Sequence, residues 1–280
     1  MTQQMWLETH AYLRPLADLA AHVDRAAAGL EVGSVCIPAW DDYRSDFLAG
    51  VSLLSSGGTA VNLEPGGRLA SAMIERLASA STNWLADQAR ALDADLKSAP
   101  YAARRIADFL IGDEAVTPPF PGLLRYLGWT AMARYLRPVV HDFAGWRDED
   151  RWLRRYCPTC GSLPSMAQLV GADPGRKRLL SCGCCGTRWQ FTRTACPFCE
   201  ANSQRLASLA IEGEPRLRID HCEACRGYLK TYDGEGDESL LLADWSSLHL
   251  DLIAQDRGLQ RLAASLFDPG TLAPGPQPTH

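Results

Sequence analysis

Four Cys-x-x-Cys pairs fall between residues 157 and 225, and no other feature restricts the fold of this 280-residue chain so tightly. The pairs are Cys157/Cys160, Cys182/Cys185, Cys196/Cys199 and Cys222/Cys225, which take eight of the ten cysteines. Two cysteines three positions apart can bend over one metal ion, and two such knuckles complete a tetrahedral sulfur site. Eight thiols therefore point to two closed four-sulfur sites. The competing readings of the same thiols are structural disulfides and redox-active dithiols.

Four knuckles allow three pairings. The gaps between them are 21, 10 and 22 residues. Sequential pairing joins Cys157/Cys160 to Cys182/Cys185 and Cys196/Cys199 to Cys222/Cys225. Each long gap then holds a β-hairpin, as in a zinc ribbon, and the ten-residue gap reads as a connector. The two units also repeat at a period of about 39 residues, with CPTC answered by CPFC. A repeat in which each unit carries its own ligands disfavours nested pairing.

The length exceeds one typical domain. No apolar run reaches the roughly 18 residues of a membrane helix. The start, MTQQMWLETH, shows neither a basic n-region nor an apolar h-region. The expectation is a cytoplasmic chain without membrane insertion, whose thiols stay reduced and free for metal. Charge is uneven. Residues 151–230 hold 13 Lys/Arg and 6 Asp/Glu, a net +7, against −12 for the remainder. A divalent ion with four thiolates carries about −2, so two sites would bring the segment to about +3. Nearby Arg and Lys then balance the sites, which weakens a nucleic-acid reading.

Residues 1–150 read as a helical domain. Apolar stripes at three-to-four spacing predict a helix over Trp6–Leu30, another from Asp41 to Leu54, and a further run from Leu69 past Trp84 towards Leu96. Short helical signals follow at Pro100–Leu110 and Leu123–Pro138. Ser55–Gly58, Glu64–Gly67 and Pro118–Gly122 read as loops. His10, His22 and His141 are isolated and read as surface or capping residues, and Cys36 as a small buried residue. No phosphate loop or nucleophile elbow is present.

Hairpins are expected over Leu163–Val170 with Arg178–Ser181, and over Leu206–Ile211 with Arg216–Asp220. Gly161, Gly186 and Gly227 follow three knuckles, where tight backbone must aim N–H groups at sulfur. Cys184 lies inside the second knuckle at too short a step, so Cys182 and Cys185 are kept as ligands. His221 adjoins Cys222 as a substitute donor. A last helix is read from the leucine stripe Leu241–Leu266, weakened by Gly258, and the proline-rich tail from Asp268 is expected to be disordered.

The segments CPTCGSLP (157–164), RLLSCGCCGTRW (178–189), Arg193, CPFC (196–199) and CEACRGYLK (222–230) resemble the formate dehydrogenase accessory protein family, FdhE. Asp244, Leu248, Leu250, Asp251, Gly258 and Arg261 are similar to its closing motif. Departures are Gly186 and Arg188 beside Thr187, where acidic residues are expected, Trp245 after Asp244, and the extra Cys184. The resemblance implies a multidomain α+β fold: a helical domain, two rubredoxin-like or zinc-ribbon modules at residues 151–194 and 195–235, and a C-terminal helix over 236–268 packing on them, before a tail at 269–280. It implies a cytoplasmic, non-enzymatic assembly factor that binds the catalytic subunit of respiratory formate dehydrogenase before export. The eight cysteines would hold two metal ions, iron in a rubredoxin-like setting or zinc. Sulfur-only ligation suits both metals. Homodimerisation stays open.

Two other readings compete. In a zinc-ribbon nucleic-acid binder, Arg151, Arg154, Arg155, Arg176, Lys177 and Arg178 would meet phosphates and Trp189, Phe191 and Phe198 would stack. The acidic pI of about 5.7 argues against it. A thiol–disulfide enzyme would need a thioredoxin-like β-α-β setting that the pairs lack.

Overall fold

A computed structural model describes residues 1–59, 61–79, 84–112, 117–172 and 174–267. Its helices, in chain order, are α1 (Gln3–Thr9), α2 (Arg14–Ala27), α3 (Trp40–Ala49), α4 (Glu64–Ser79), α5 (Trp84–Ser98), α6 (Ala102–Ile111), α7 (Pro121–Trp146) and α8 (Glu149–Trp152). Six strands follow: β1 (Met166–Val170), β2 (Lys177–Ser181), β3 (Arg188–Phe191), β4 (Leu206–Ala210), β5 (Leu217–Cys222) and β6 (Tyr228–Asp233). Then come α9 (Glu238–Leu241) and α10 (Leu248–Asp256). The chain is thus an α+β protein with a helical N-terminal region, a cysteine-bearing sheet and a C-terminal helix. The proline-rich tail lies outside the described residues.

The described residues form two compact units. One, drawn from residues 18–39, 60–145 and 266–267, is helical. Leu69, Met73, Ile74 and Leu77 of α4 are buried, and α4 packs on α5 and α6. Glu64–Gly67 is not the expected loop but the first turn of α4. A Cβ on Gly67 would lie 2.0 Å from the Ala103 carbonyl oxygen, so glycine is what allows α4 to approach α6 so closely. Leu124, Leu127, Ala131 and Tyr135 of α7 are buried as the stripe requires. The helix does not stop at Pro138. That proline removes one ladder bond, yet Leu136, Val139 and Phe143 are all 0% exposed, and their burial carries α7 through to Trp146.

The other unit takes residues 1–17, 40–59 and 146–265. The predicted single helix Trp6–Leu30 is broken between α1 and α2. Pro15 has no N–H and fits only the first turn of a new helix, so a 3-10 turn (Ala11–Leu13) intervenes. Likewise α3 ends at Ala49, because Gly50 takes φ +83°, and Leu53–Ser55 is a separate 3-10 turn.

The six strands make one sheet in the order β3-β2-β1-β6-β5-β4. Both predicted hairpins are present, with Met166 opposite Ser181 in β1–β2 and Leu209 opposite Ile219 in β4–β5. Each gains a third strand that the sequence reading did not place. The ten-residue connector contains β3, whose Trp189 and Phe191 are buried while Arg188 and Gln190 are half-buried, the period-two pattern of a strand. β1 and β6 pair in parallel, Met166 with Lys230 through Leu169 with Asp233, and join the two three-stranded halves.

The expected long last helix ends at Asp256. Gly258 at φ +65° stops it, with Gly258 N–H donating to Gln255 and Leu259 N–H to Ala254. Residues from the closing motif serve one buried charge network instead. The Lys230 side chain, 1% exposed on β6, donates to Asp244 (2.6 Å) and Asp251 (2.9 Å). Arg261 reaches the same two carboxylates at 2.8 and 2.9 Å, and the Tyr228 hydroxyl donates to Asp251. Burial would raise the Asp244 carboxyl, but Lys230 and Arg261 outweigh it and hold the group well below the usual carboxylate range.

Removing one member leaves buried charge uncompensated. Lys230→Ala is expected to cost about 3–5 kcal/mol in denaturant unfolding. A depressed native pKa gives stability that is present above the unfolded value of about 3.9 and lost as the pH falls. Stability measured against pH should therefore drop below about pH 4, with a shallower slope in Asp244→Asn.

Candidate metal centres

Each predicted set of four sulfurs is gathered in space. Cys157, Cys160, Cys182 and Cys185 lie within 4.8 Å of one another, as do Cys196, Cys199, Cys222 and Cys225. No pair is disulfide-bonded. Sequential pairing is therefore the pairing observed, one cluster in each half of the sheet.

The knuckles form because backbone bonds close them. Cys157 N–H donates to the Ser162 carbonyl (2.8 Å) and Gly161 N–H to that of Cys157 (2.9 Å). The opposite knuckle is closed by Cys182 N–H donating to the Thr187 carbonyl at 2.9 Å. The second half repeats this, with Cys196 N–H to Ala201 at 2.8 Å and Cys222 N–H to Gly227 at 2.9 Å. The residue after the second cysteine is left-handed in all four knuckles: Gly161, Gly186, Glu200 and Arg226. Gly227 is thus not the left-handed residue of its knuckle. Its lack of a Cβ serves space, because that atom would meet Leu262 at 2.6 Å and Phe198 at 3.0 Å, and its N–H points at the Cys225 sulfur at 3.4 Å.

In the first cluster the Cys157–Cys185 and Cys160–Cys182 sulfurs are 3.5 and 3.4 Å apart. In the second, Cys196–Cys225 and Cys199–Cys222 are 3.8 and 3.7 Å apart. A tetrahedral ion with bonds of about 2.3 Å needs sulfur edges of about 3.8 Å, so both donor sets fit such an ion. The thiols on their own cannot share a charge evenly. Hydrogen bonding to Cys157 pulls Cys160 well below the ordinary thiol value and pushes Cys182 well above it. Burial pushes Cys185 up and takes Cys196 to about 12. A cation is what would let four such sulfurs ionise together.

The first cluster is the more enclosed. Cys157, Cys182 and Cys185 are buried and Cys160 is half-buried, whereas Cys199 of the second cluster is exposed. The 3-10 turn covers the first knuckle, with Leu53 N–H donating to the Pro158 carbonyl (2.8 Å) and Leu54 N–H to that of Thr159 (2.9 Å). Thr187, to which the sequence reading gave no part in the site, contacts the Cys185 sulfur at 3.2 Å and Thr159 Oγ1 at 2.8 Å. Cys184 is buried outside both sets and accepts from the Ser162 hydroxyl at 3.6 Å. His221 belongs to neither cluster.

Two single-residue readings are corrected. Cys36 is exposed, because it lies in the stretch between α2 and α3 that has no regular structure to bury it. His10 is neither isolated nor superficial. It is 5% exposed and contacts Glu214, a partner 204 positions away that no local pattern could announce.

Several of the residues that would have served a nucleic-acid surface are committed elsewhere, while Arg151, Arg154 and Lys177 are exposed. Trp189, Phe191 and Phe198 are buried at 0%, 4% and 6% exposure, which leaves no face for a base. Burial lowers the Arg178 guanidinium to about 10, and it donates to the Thr192 and Ala195 carbonyls. Arg176 pairs with Asp233.

No family model matches the chain. Among curated proteins it is similar to "Protein FdhE homolog" of Aquifex aeolicus, 33% identical over 44% of this chain and 46% of that protein. The homolog from Pseudomonas aeruginosa is 39% identical over 42% of this chain and 41% of its own length. "Protein FdhE" of Escherichia coli is 32% identical over 70% of this chain and 58% of that one. The chain spans about half the length of the curated relatives it matches. The crystal structure of the FdhE protein from Pseudomonas aeruginosa shares the fold, with a TM-score of 0.57, 23% identity, and 91% of this chain and 88% of that chain covered. Among the described residues no helix is long and apolar enough to cross a membrane.

The unequal cover of the clusters predicts unequal release of metal. With a chelator added to the metal-loaded protein, metal should be lost in two phases, the ion on Cys196/Cys199/Cys222/Cys225 leaving first. Cys199→Ser should remove the fast phase and Cys182→Ser the slow one. Both ions should leave faster as the pH falls, since thiolates must be protonated for release.

Proposed function

The chain belongs to the FdhE family, and we propose on that basis that it is an accessory protein for the assembly of respiratory formate dehydrogenase. It docks on the catalytic subunit in the cytoplasm before export and does not remain in the finished enzyme. The observation that carries the reading is the form of both sulfur clusters: among the described residues, each gathers four cysteine thiols as a complete donor set. A site with four protein ligands keeps no open position for substrate and serves structure or electron transfer rather than hydrolysis.

In this reading Cys157, Cys160, Cys182 and Cys185 hold one ion and Cys196, Cys199, Cys222 and Cys225 the other. The modules at residues 151–194 and 195–235 are organised by these ions, since binding free energy at a structural site is folding free energy. The helical domain of residues 1–150 and the C-terminal segment 236–268 supply surface for the client. Either iron or zinc satisfies the donors. Iron would add a redox-sensing role, and zinc would leave a purely structural one.

The test is an affinity pull-down from cells respiring on formate. Mass spectrometry should recover the formate dehydrogenase catalytic subunit with the tagged protein and not with Cys157→Ser/Cys160→Ser. Recovery of unrelated clients by both forms would overturn the reading. Purified aerobically, an iron-loaded protein should be coloured and bleach reversibly on reduction; a colourless zinc protein would end the redox role alone.

A further inference from the structure

Outside the sulfur clusters, three side chains from distant parts of one unit converge. His10 follows α1, Glu214 sits in the turn between β4 and β5, and His249 lies on α10. His10 Nε2 is 3.0 Å from Glu214 Oε1, and His249 Nε2 is 2.8 and 3.0 Å from the two oxygens of the same carboxylate. The side chains are 6%, 12% and 10% exposed.

The tautomer of His10 makes this group unusual. Its Nδ1 lies 3.0 Å from the Trp6 carbonyl oxygen, which can only accept, so Nδ1 carries the hydrogen. The ring is stacked on Trp6 at 3.8 Å, and Trp6 is itself anchored by its indole N–H to the Ser246 carbonyl (3.0 Å). A neutral His10 therefore turns its Nε2 lone pair towards a carboxylate oxygen, and two lone pairs at 3.0 Å repel. Something positive must lie between them: a proton on Nε2, or a cation. A carbonyl that fixes Nδ1–H and presents Nε2 is also the usual outer partner of a metal-bound histidine.

The geometry admits either. Ligand atoms about 2.1 Å from one ion are about 3.0 Å apart at right angles and about 3.4 Å apart at tetrahedral angles. The nitrogen–oxygen separations of 2.8–3.0 Å lie at the short end of that spacing and also within hydrogen-bond reach, so the choice falls to metal counting. All three donors can be placed within 4.8 Å of one another. Tyr12 lies beside the group, its ring 5.9 Å from His10 and 6.0 Å from His249, and it is 59% exposed.

We propose that His10, Glu214 and His249 form a third metal site, for a divalent first-row transition ion held by two imidazoles and one carboxylate with a position left open. Two nitrogens and an oxygen suit zinc, iron(II) or manganese, and the donor set differs from the all-sulfur clusters. Three protein ligands rather than four are the pattern of sites that also bind water or a small ligand. The site ties the N-terminal helix to the second half of the sheet and to α10.

The test counts ions on the full-length protein. Wild type, Glu214→Gln and His249→Gln are equilibrated with micromolar zinc, desalted and assayed by mass spectrometry of the metal. The expected result is one zinc per chain fewer in each variant than in wild type. That difference stands whether or not the sulfur sites fill, so it is independent of the accessory-protein reading. Equal counts in folded variants would overturn the site. Should a variant fail to fold, cobalt added to wild type carrying only two zinc ions per chain, one for each sulfur cluster, decides. Weak ligand-field bands without thiolate charge transfer, abolished by further zinc, support the site. No cobalt spectrum overturns it.

Discussion

Eight sulfur atoms drawn into two groups, with edges of 3.4–3.8 Å and no bond between them, set the conditions that the surrounding chain must meet. Thiols so close resist ionising together, and a thiolate cluster is too electron-rich to sit unassisted in an apolar interior. The chain answers with geometry first. Four knuckles place the residue after the second cysteine in the left-handed region, which turns the backbone sharply enough for amides to face sulfur. Glu200 and Arg226 accept a conformation that ordinary residues resist, at a cost of order 1 kcal/mol each. Arg226 is compensated locally, since its guanidinium donates to the carbonyls of Arg257 and Gly258.

The clusters and the buried charge network divide the work of holding this unit. Strands of four to six residues bury little by themselves. The first half is secured by the Leu53–Ser55 turn lying on its knuckle, the second by Gln260, whose N–H donates to the Arg226 carbonyl and whose own carbonyl accepts from Tyr228. Lys230, Asp244, Asp251 and Arg261 then fix β6 to the segment that follows it. The closing motif is therefore intelligible as structure: its charged members are mutual counter-ions, and Gly258 turns the chain back towards the knuckle.

What the sequence made legible was what short spacing encodes. The four knuckles, their sequential pairing and both hairpins could be read, because a ligand three residues from its partner or a turn between two alternating runs leaves a local trace. The helical stripes of α4 and α7 also marked core residues, whereas the last stripe included Leu252 and Leu262, which are 64% and 39% exposed. Boundaries failed where one residue overrules a pattern, as at Pro15, Gly50 and Gly258. They failed in the opposite sense at Pro138 and Gly67, where packing overrules the residue. β3 was missed because a four-residue strand hidden in a ten-residue gap has too short a period to register. His10 was misread because burial against Glu214 is a property of the folded chain, separated by 204 positions in sequence.

The parallel contact between β1 and β6 has a geometrical corollary. The two halves are repeats, so β1 corresponds to β4 and β3 to β6, and they join first strand to third strand rather than like to like. Such a head-to-tail contact is not closed by symmetry: the same join is available again at each rim of the sheet, as in a filament. At one rim the chain supplies its own stopper. Glu149 accepts the Gln190 N–H at 2.9 Å and Arg147 donates to the Arg188 carbonyl at 2.7 Å, so the backbone groups that would welcome another strand on β3 are already spoken for. The segment that leads into the repeats, α8 with Arg147 before it, thus doubles as the cover of the sheet's β3 edge.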